Sequence, residues 1–152
     1  MKIVLAQINT TVGDLAGNEA LIQAAYERGV DVGADLVVVP ELAVTGYPPR
    51  DLLLKSGFIE NNLEVVKRLA AGVGETGLLV GCVGLNEGRP GRDATNSAAL
   101  LHEGRMTAAR TKSLLPSYDV FDEDRYFEPA RGNLPVEFKG HKLGLTICED
   151  AW

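Results

Sequence analysis

A carboxylate, an ammonium and a thiol each stand where an inferred strand gives way to a loop: Glu41, Lys112 and Cys148. Leu36-Val37-Val38-Val39 stops at Pro40 and Glu41, and the run Met106 to Arg110 is followed almost at once by Lys112 and Ser113-Leu114-Leu115-Pro116. Leu143, Leu145 and Ile147 alternate with small residues until Cys148-Glu149-Asp150 breaks the pattern. Strand ends of open α/β sheets are where ligands collect. Together the three types meet what amide hydrolysis needs. A thiol attacks, a carboxylate takes its proton and later activates water, and an ammonium with a backbone N–H steadies the oxyanion. Each has a plainer reading alone: free Cys is often a buried small hydrophobe, and a Glu or Lys is usually a solvated charge. Their shared position at inferred strand ends is the stronger signal.

Further features bear on Cys148. If Glu149 and Asp150 open a helix, the thiol sits at its positive end, where free N–H groups favour a thiolate. Cys82 lies inside the apolar run Leu78 to Leu85 with no charged neighbour to activate it, and reads as structural. His102 adjoins a turn and His141 is at the far end of the last strand from Cys148, so neither is placed for a Cys–His pair.

The elements that must hold these residues read as follows. Lys2 to Asn9 is a buried strand, Thr10 to Asp14 a turn, and Asn18 an N-cap. Leu21, Ile22, Ala25 and Tyr26 form the face of a helix ending around Gly29 to Gly33. The β-branched run Leu36 to Val39 suits a strand covered on both faces, in a parallel or mixed sheet. Thr45-Gly46-Tyr47-Pro48-Pro49-Arg50-Asp51 is a rigid loop, since its prolines fix φ and restrict the residues before them. A helix over Ile59 to Val73 and a strand over Leu78 to Leu85 come next. Asn96 to Leu101 and Met106 to Arg110 then flank Glu103-Gly104 as a hairpin. Tyr118 to Pro129 is a long ordered loop, acidic and aromatic, and Val136-Glu137-Phe138 pairs through Gly140 with the last strand. This alternation predicts a layered α/β domain.

Composition bounds the function. The chain has 152 residues, 45% hydrophobic and 24% charged, which suits one core. A net charge of -6 without a basic cluster excludes a nucleic-acid surface, and no apolar run approaches membrane-spanning length. Two cysteines give no disulfide framework, and the start turns polar too soon for a secretory segment, so the cytoplasm is the expected compartment. The Asn9-Thr10-Thr11 sequon then reads as chance, and Gly81-Cys82-Val83-Gly84 is a weak match to any nucleotide-binding glycine motif.

The motifs Pro40-Glu41-Leu42, Gly46-Tyr47-Pro48-Pro49-Arg50-Asp51-Leu52-Leu53, Lys112-Ser113-Leu114-Leu115-Pro116, Tyr118 with Phe121-Asp122-Glu123, and Ile147-Cys148-Glu149-Asp150 occur in this order. In that order they resemble the nitrilase (carbon–nitrogen hydrolase) superfamily. The Gly-Tyr-Pro-Pro-Arg-Asp-Leu-Leu and Tyr-Asp-Val-Phe-Asp-Glu stretches are similar, more narrowly, to the glutaminase domains of its glutamine-dependent NAD synthetase branch. The resemblance implies an α/β fold, a nitrilase-like α-β-β-α sandwich of which residues 1–152 are the N-terminal portion only. It implies Glu41 as general base, Lys112 as oxyanion stabiliser, and Cys148 as the nucleophile that forms a glutamyl thioester and releases ammonia. It places Tyr47, Tyr118, Phe121, Glu149 and Trp152 around the glutamine. Packing explains Tyr47, Phe121 and Trp152 about as well, and helix-start acidity nearly explains Glu149.

Chains of that family continue past the cysteine, and the synthetases add an ATP-dependent domain with a Ser-Gly-Gly phosphate loop, neither of which this sequence contains. The implied amidase step needs no metal or organic cofactor; ATP and deamido-NAD, with Mg, belong to the synthetase domain. Glutamine is the implied substrate, with a homo-oligomer at full length and an uncovered sheet edge and apolar face in this portion. Two other readings stay open: a free-standing amidase or nitrilase on a small aliphatic amide, and a non-catalytic interaction module.

Overall fold

Two β-strand-helix-β-strand steps open the chain, and their parallel pairing follows from the helices that carry it across the sheet. The computed structural model describes residues 1–86 and 90–152. In order these form β1 (Ile3–Leu5), α1 (Leu15–Asp31), β2 (Leu36–Val38), a 3-10 turn (Arg50–Leu54), α2 (Phe58–Gly72), β3 (Gly77–Leu85), β4 (Ala94–His102) and β5 (Arg105–Thr111). The single turn α3 (Glu123–Tyr126), β6 (Val136–Phe138), β7 (His141–Leu143) and a 3-10 turn (Cys148–Ala151) complete it. Among the described residues, the sheet order is β1-β2-β3-β4-β5, and β6-β7 is a separate hairpin. β1, β2 and β3 run parallel, with Val4 opposite Val37 and Val37 opposite Leu78, whereas β3, β4 and β5 are antiparallel.

Both long helices cover one face of the sheet. Ile22 and Tyr26 from α1 and Val65, Val66 and Leu69 from α2 pack on Val37, Val39, Leu78, Val80, Cys82, Ala99 and Leu101. The β6-β7 hairpin begins a layer on the opposite face, where Val136 and Phe138 meet Leu36 and Leu100. That layer stops short of β1. Val4 packs with the helix-side core, so the alternation of a strand points Ile3 and Leu5 the other way, and both are exposed. The uncovered apolar face expected from the sequence is therefore at β1. Among the described residues no helix is long and apolar enough to cross a membrane.

The hairpin turning at Glu103-Gly104 and the structural Cys82 are as the sequence predicts, and both long helices form, although Leu21, expected on the buried face of α1, is exposed. Cys82 is buried, and burial pushes its thiol up to about 12. Four expectations need correction. The first strand is three residues and not Lys2 to Asn9, although Ala6 N–H still reaches Val38 O at 2.8 Å. Asp14 caps α1, accepting from Gly17 N–H at 3.0 Å, and Asn18 lies inside the helix. There its amide bonds Thr11 and Val44 O, tying the loops after β1 and β2 together. The loop from Tyr118 is interrupted by α3, whose Glu123 and neighbouring Phe127 are buried. The final strand ends at Leu143, not Ile147. Val136 faces Leu143, so the next ladder position opposite Gly144 falls to Pro135, which has no N–H to donate.

Candidate active site

Glu41 sits in a tight turn just beyond β2. Ala43 N–H closes that turn on Pro40 O, Val44 N–H bonds Gly81 O of β3, and Leu42 takes φ 48°. The turn lies so close on β3 that a Cβ at Gly81 would come 2.4 Å from both Leu42 N and Pro40 O. Glycine is required there because nothing larger fits under the backbone that aims Glu41.

Lys112 follows the last residue of β5, and its N–H donates to Asn96 O of β4 at 2.8 Å. Its side chain is fully buried, with Nζ 2.8 Å from Glu41 Oε1 and 2.9 Å from Glu123 Oε1. Asn96 completes the cluster: Nδ2 donates to Glu41 Oε1 at 2.7 Å and to Glu123 Oε2 at 3.2 Å. Two carboxylates facing the same amide nitrogen fix the orientation of that amide. Among the described residues Asn96 Oδ1 has no hydrogen-bond partner. Tyr47 OH donates to Glu123 Oε1 at 2.9 Å. Burial alone would push the Lys112 ammonium down, but its hydrogen bonds to Glu41 and Glu123 and their charges hold it above the usual lysine range. Burial, and next the bond to Glu123, drive the Tyr47 phenol far above its ordinary value.

Cys148 opens the last 3-10 turn from an extended Ile147 and has φ 46°, a conformation rare for a residue with a side chain. The thiol is raised above its ordinary value. Partial desolvation of the sulfur is the largest cause, although the residue as a whole is exposed, followed by the charge of Glu41, and Lys112 opposes both. This corrects the sequence expectation of a stabilised thiolate. The turn is four residues, not a helix with a full dipole, and the nearby carboxylate charge outweighs the ammonium.

The expected pocket residues divide. Tyr118 OH donates to Glu149 Oε2 at 3.0 Å, and the Phe121 ring lies 5.5 Å from that of Tyr118 and 6.3 Å from that of Tyr47. These four form a chain of contacts running from Glu123 to the Cys148 turn. Trp152 is not drawn in: its side chain is 92% exposed, and its backbone N–H bonds Glu149 O. Sequence reasoning gave no site role to Glu123, Asn96 or Asp150, although Glu123 and Asp150 lie in the quoted motifs and Asp150 reads as helix-start acidity. Glu123 was one acid among several in its loop. Asn96 did carry a signal, since Thr95-Asn96-Ser97 is a polar run inside an otherwise apolar strand.

The two thiols should label very differently. Iodoacetamide is expected to modify Cys148, which is exposed, on the order of 10²-fold faster than the buried Cys82. Because the Cys148 thiol is raised, its labelling rate should still be climbing above pH 9; peptide mapping over a pH series checks both. A plateau near neutrality, or equal labelling, would show that this environment is misread.

A sheet with helices on one face and a second layer starting on the other, with Glu41 and Lys112 just beyond its strands and Cys148 in a turn after the β6-β7 hairpin, defines a nitrilase-like α/β fold. The carbon-nitrogen hydrolase family model matches residues 2–152, and the chain belongs to that family. Its similar proteins include the glutamine-dependent NAD(+) synthetases of Thermotoga maritima, 39% identical over 100% of this chain and 26% of that protein, and of Synechocystis sp., 43% identical over 99% and 28%. The chain thus spans about a quarter of the length of these relatives. Among solved structures, the glutamine-dependent NAD+ synthetase from Acinetobacter baumannii superposes with a TM-score of 0.89 at 36% identity, covering 99% of this chain and 28% of that one. An amidase from Nesterenkonia sp. shares the fold, with a TM-score of 0.75 at 24% identity over 93% of this chain and 53% of that one.

Proposed function

We propose that this chain carries the catalytic part of a glutamine amidohydrolase site, with Cys148 as nucleophile, Glu41 as general base and Lys112 as oxyanion stabiliser. The observation that carries this reading is the fully buried Lys112 ammonium, held between Glu41 and Glu123 beside a thiol on a strained turn. Glu41 Oε1 already accepts from Lys112 and Asn96, which leaves Oε2 for the thiol proton. As that proton moves to Glu41, Sγ bonds the carboxamide carbon, and the oxyanion is held by Lys112 Nζ and the Glu149 N–H. Glu41 returns the proton to the departing nitrogen, the C–N bond breaks, and ammonia leaves a glutamyl thioester. Glu41 then takes a proton from water, hydroxide adds to the thioester, and glutamate departs as the thiol is reprotonated. Lys112 stays charged throughout, and no cofactor enters these steps.

Glu149, steadied by Tyr118, would receive the α-ammonium of glutamine, with Tyr47 and Phe121 lining the approach. The likeness to NAD synthetases supports residues 1–152 as the N-terminal part of a glutaminase domain. Its ammonia would serve ATP-dependent amidation of deamido-NAD at a site outside these residues. Ammonia release by the gene product at its natural length, from glutamine and from acetamide and propionamide, tests the reading. Glutamine should be favoured on the order of 10²-fold or more in kcat/KM, because a site built to pair a substrate charge rejects analogues lacking it. Equal turnover of the simple amides would instead support a small-amide amidase.

A further inference from the structure

Asp150, two residues beyond the nucleophile, holds three backbone N–H groups with one carboxylate. Oδ2 accepts from Ile147 N–H at 3.1 Å, and Oδ1 accepts from Ser113 N–H and Leu114 N–H, each at 2.9 Å. The first bond spans the residue that bears the reactive thiol and closes the turn that keeps Cys148 at φ 46°. The other two grip the chain immediately after Lys112. These stretches lie over thirty residues apart in sequence and on elements that share no strand ladder. Past Leu143 the chain has left β7, so sheet pairing does not place Cys148. The same turn also receives Tyr118 OH at Glu149 Oε2, but that bond reaches a loop side chain and not the segment that carries Lys112. A carboxylate suits the task because both its oxygens only accept, and its charge strengthens each bond to an N–H.

We propose that Asp150 is a positioning residue: it ties the Cys148 turn to the segment leaving Lys112 and so sets the sulfur against the Lys112–Glu41 pair. It touches no reacting atom. Without it, Lys112 and Glu41 keep their own contacts, but the turn loses its anchor and the sulfur its register. This rests on the amidohydrolase reading for its activity readout, and on the surroundings of the Cys148 sulfur for its labelling readout.

The test uses the gene product at its natural length with Asp150→Asn, which keeps the shape but gives up an acceptor oxygen. The control is Asp14→Asn, at another carboxylate that caps a backbone N–H, at the start of α1. In Asp150→Asn, kcat for glutamine should fall on the order of 10²-fold with KM nearly unchanged, as displacing a reacting group by about an ångström does. Iodoacetamide should label Cys148 several-fold faster at pH 7, because a displaced thiol escapes the burial and the Glu41 charge that raise it. Asp14→Asn should lower the melting temperature similarly and leave kcat intact. A kcat within about threefold of the parent, or a fall matched by the control, overturns the proposal. If the parent hydrolyses no amide, the functional reading alone fails; the labelling comparison still decides, and unchanged labelling overturns the positioning role. Asp150→Glu covers a failure of Asp150→Asn to fold: it keeps both acceptors one methylene further out, and full kcat in it also overturns the proposal.

Discussion

Lys112→Met is expected to abolish amide hydrolysis and to destabilise the protein by about 3–5 kcal/mol, the range for removing one partner of a buried ion pair. Lys112 is fully buried and Glu123 is 4% exposed, so the change strands a buried carboxylate and deprives Glu41 of the same partner. Methionine nearly conserves volume, which keeps the cost electrostatic. Adding Glu123→Gln should recover part of the lost stability, because one of the stranded charges is gone, but none of the activity, because the oxyanion still lacks its ammonium. Recovery of activity in the double variant would show that Lys112 is only a structural counter-ion. Lys112→Arg is expected to be inactive too, since a planar fork cannot occupy the position of a point charge between Glu41 and Glu123. The pH dependence has a definite sign. The folded protein holds the Lys112 proton more tightly than the unfolded chain, so the stability from this cluster is full below the ordinary lysine value of 10.5 and drains away as pH rises past it. Urea midpoints of the parent and Lys112→Met, compared at neutral pH and above 10.5, read this directly.

Gly81→Ala should cost on the order of 10²-fold in kcat although the residue contacts no substrate. One methyl group on β3 would press on Leu42 N and Pro40 O at 2.4 Å, against backbone that cannot rotate away. The turn must lift, carrying Glu41 off Lys112 Nζ and Asn96 Nδ2 together. Overpacking of this kind typically costs about 1–3 kcal/mol, so the protein should fold with a lowered melting temperature. Normal turnover would mean that the turn yields without moving the carboxylate. Gly104→Ala is the matching control. Gly104 has positive φ, unlike Gly81, and turns the β4-β5 hairpin with open space around it, so its variant should lose some stability and no activity.

Glu41 and Cys148 stand out because each ends an apolar stretch, and Lys112 because it follows a strand of the hairpin, all of which are visible in one dimension. Asn96 and Glu123 are harder to see. Their meaning lies in distances to residues far away in the chain, such as the 55 positions that separate Asn96 from Glu41. The Asn18 error has the same origin: its short amide side chain reads as a cap, whereas a contact with Val44 O, 26 residues on, buries it inside the helix. The overlong first and last strands fail for a related reason. Apolar alternation marks residues able to form a strand, but a ladder ends where its neighbour ends, and Pro135 is that neighbour's limit.

By itself the sequence determined the α/β class, the two long helices and the β4-β5 hairpin, and it marked three candidate side chains, because periodicity, turn chemistry and side-chain type are local properties. Only the tertiary structure decided the charge state and aim of those side chains. A buried ammonium between two carboxylates, a thiol raised by its surroundings and a carboxylate spanning two segments arise from groups brought together across the fold, and electrostatics acts through that distance rather than along the chain.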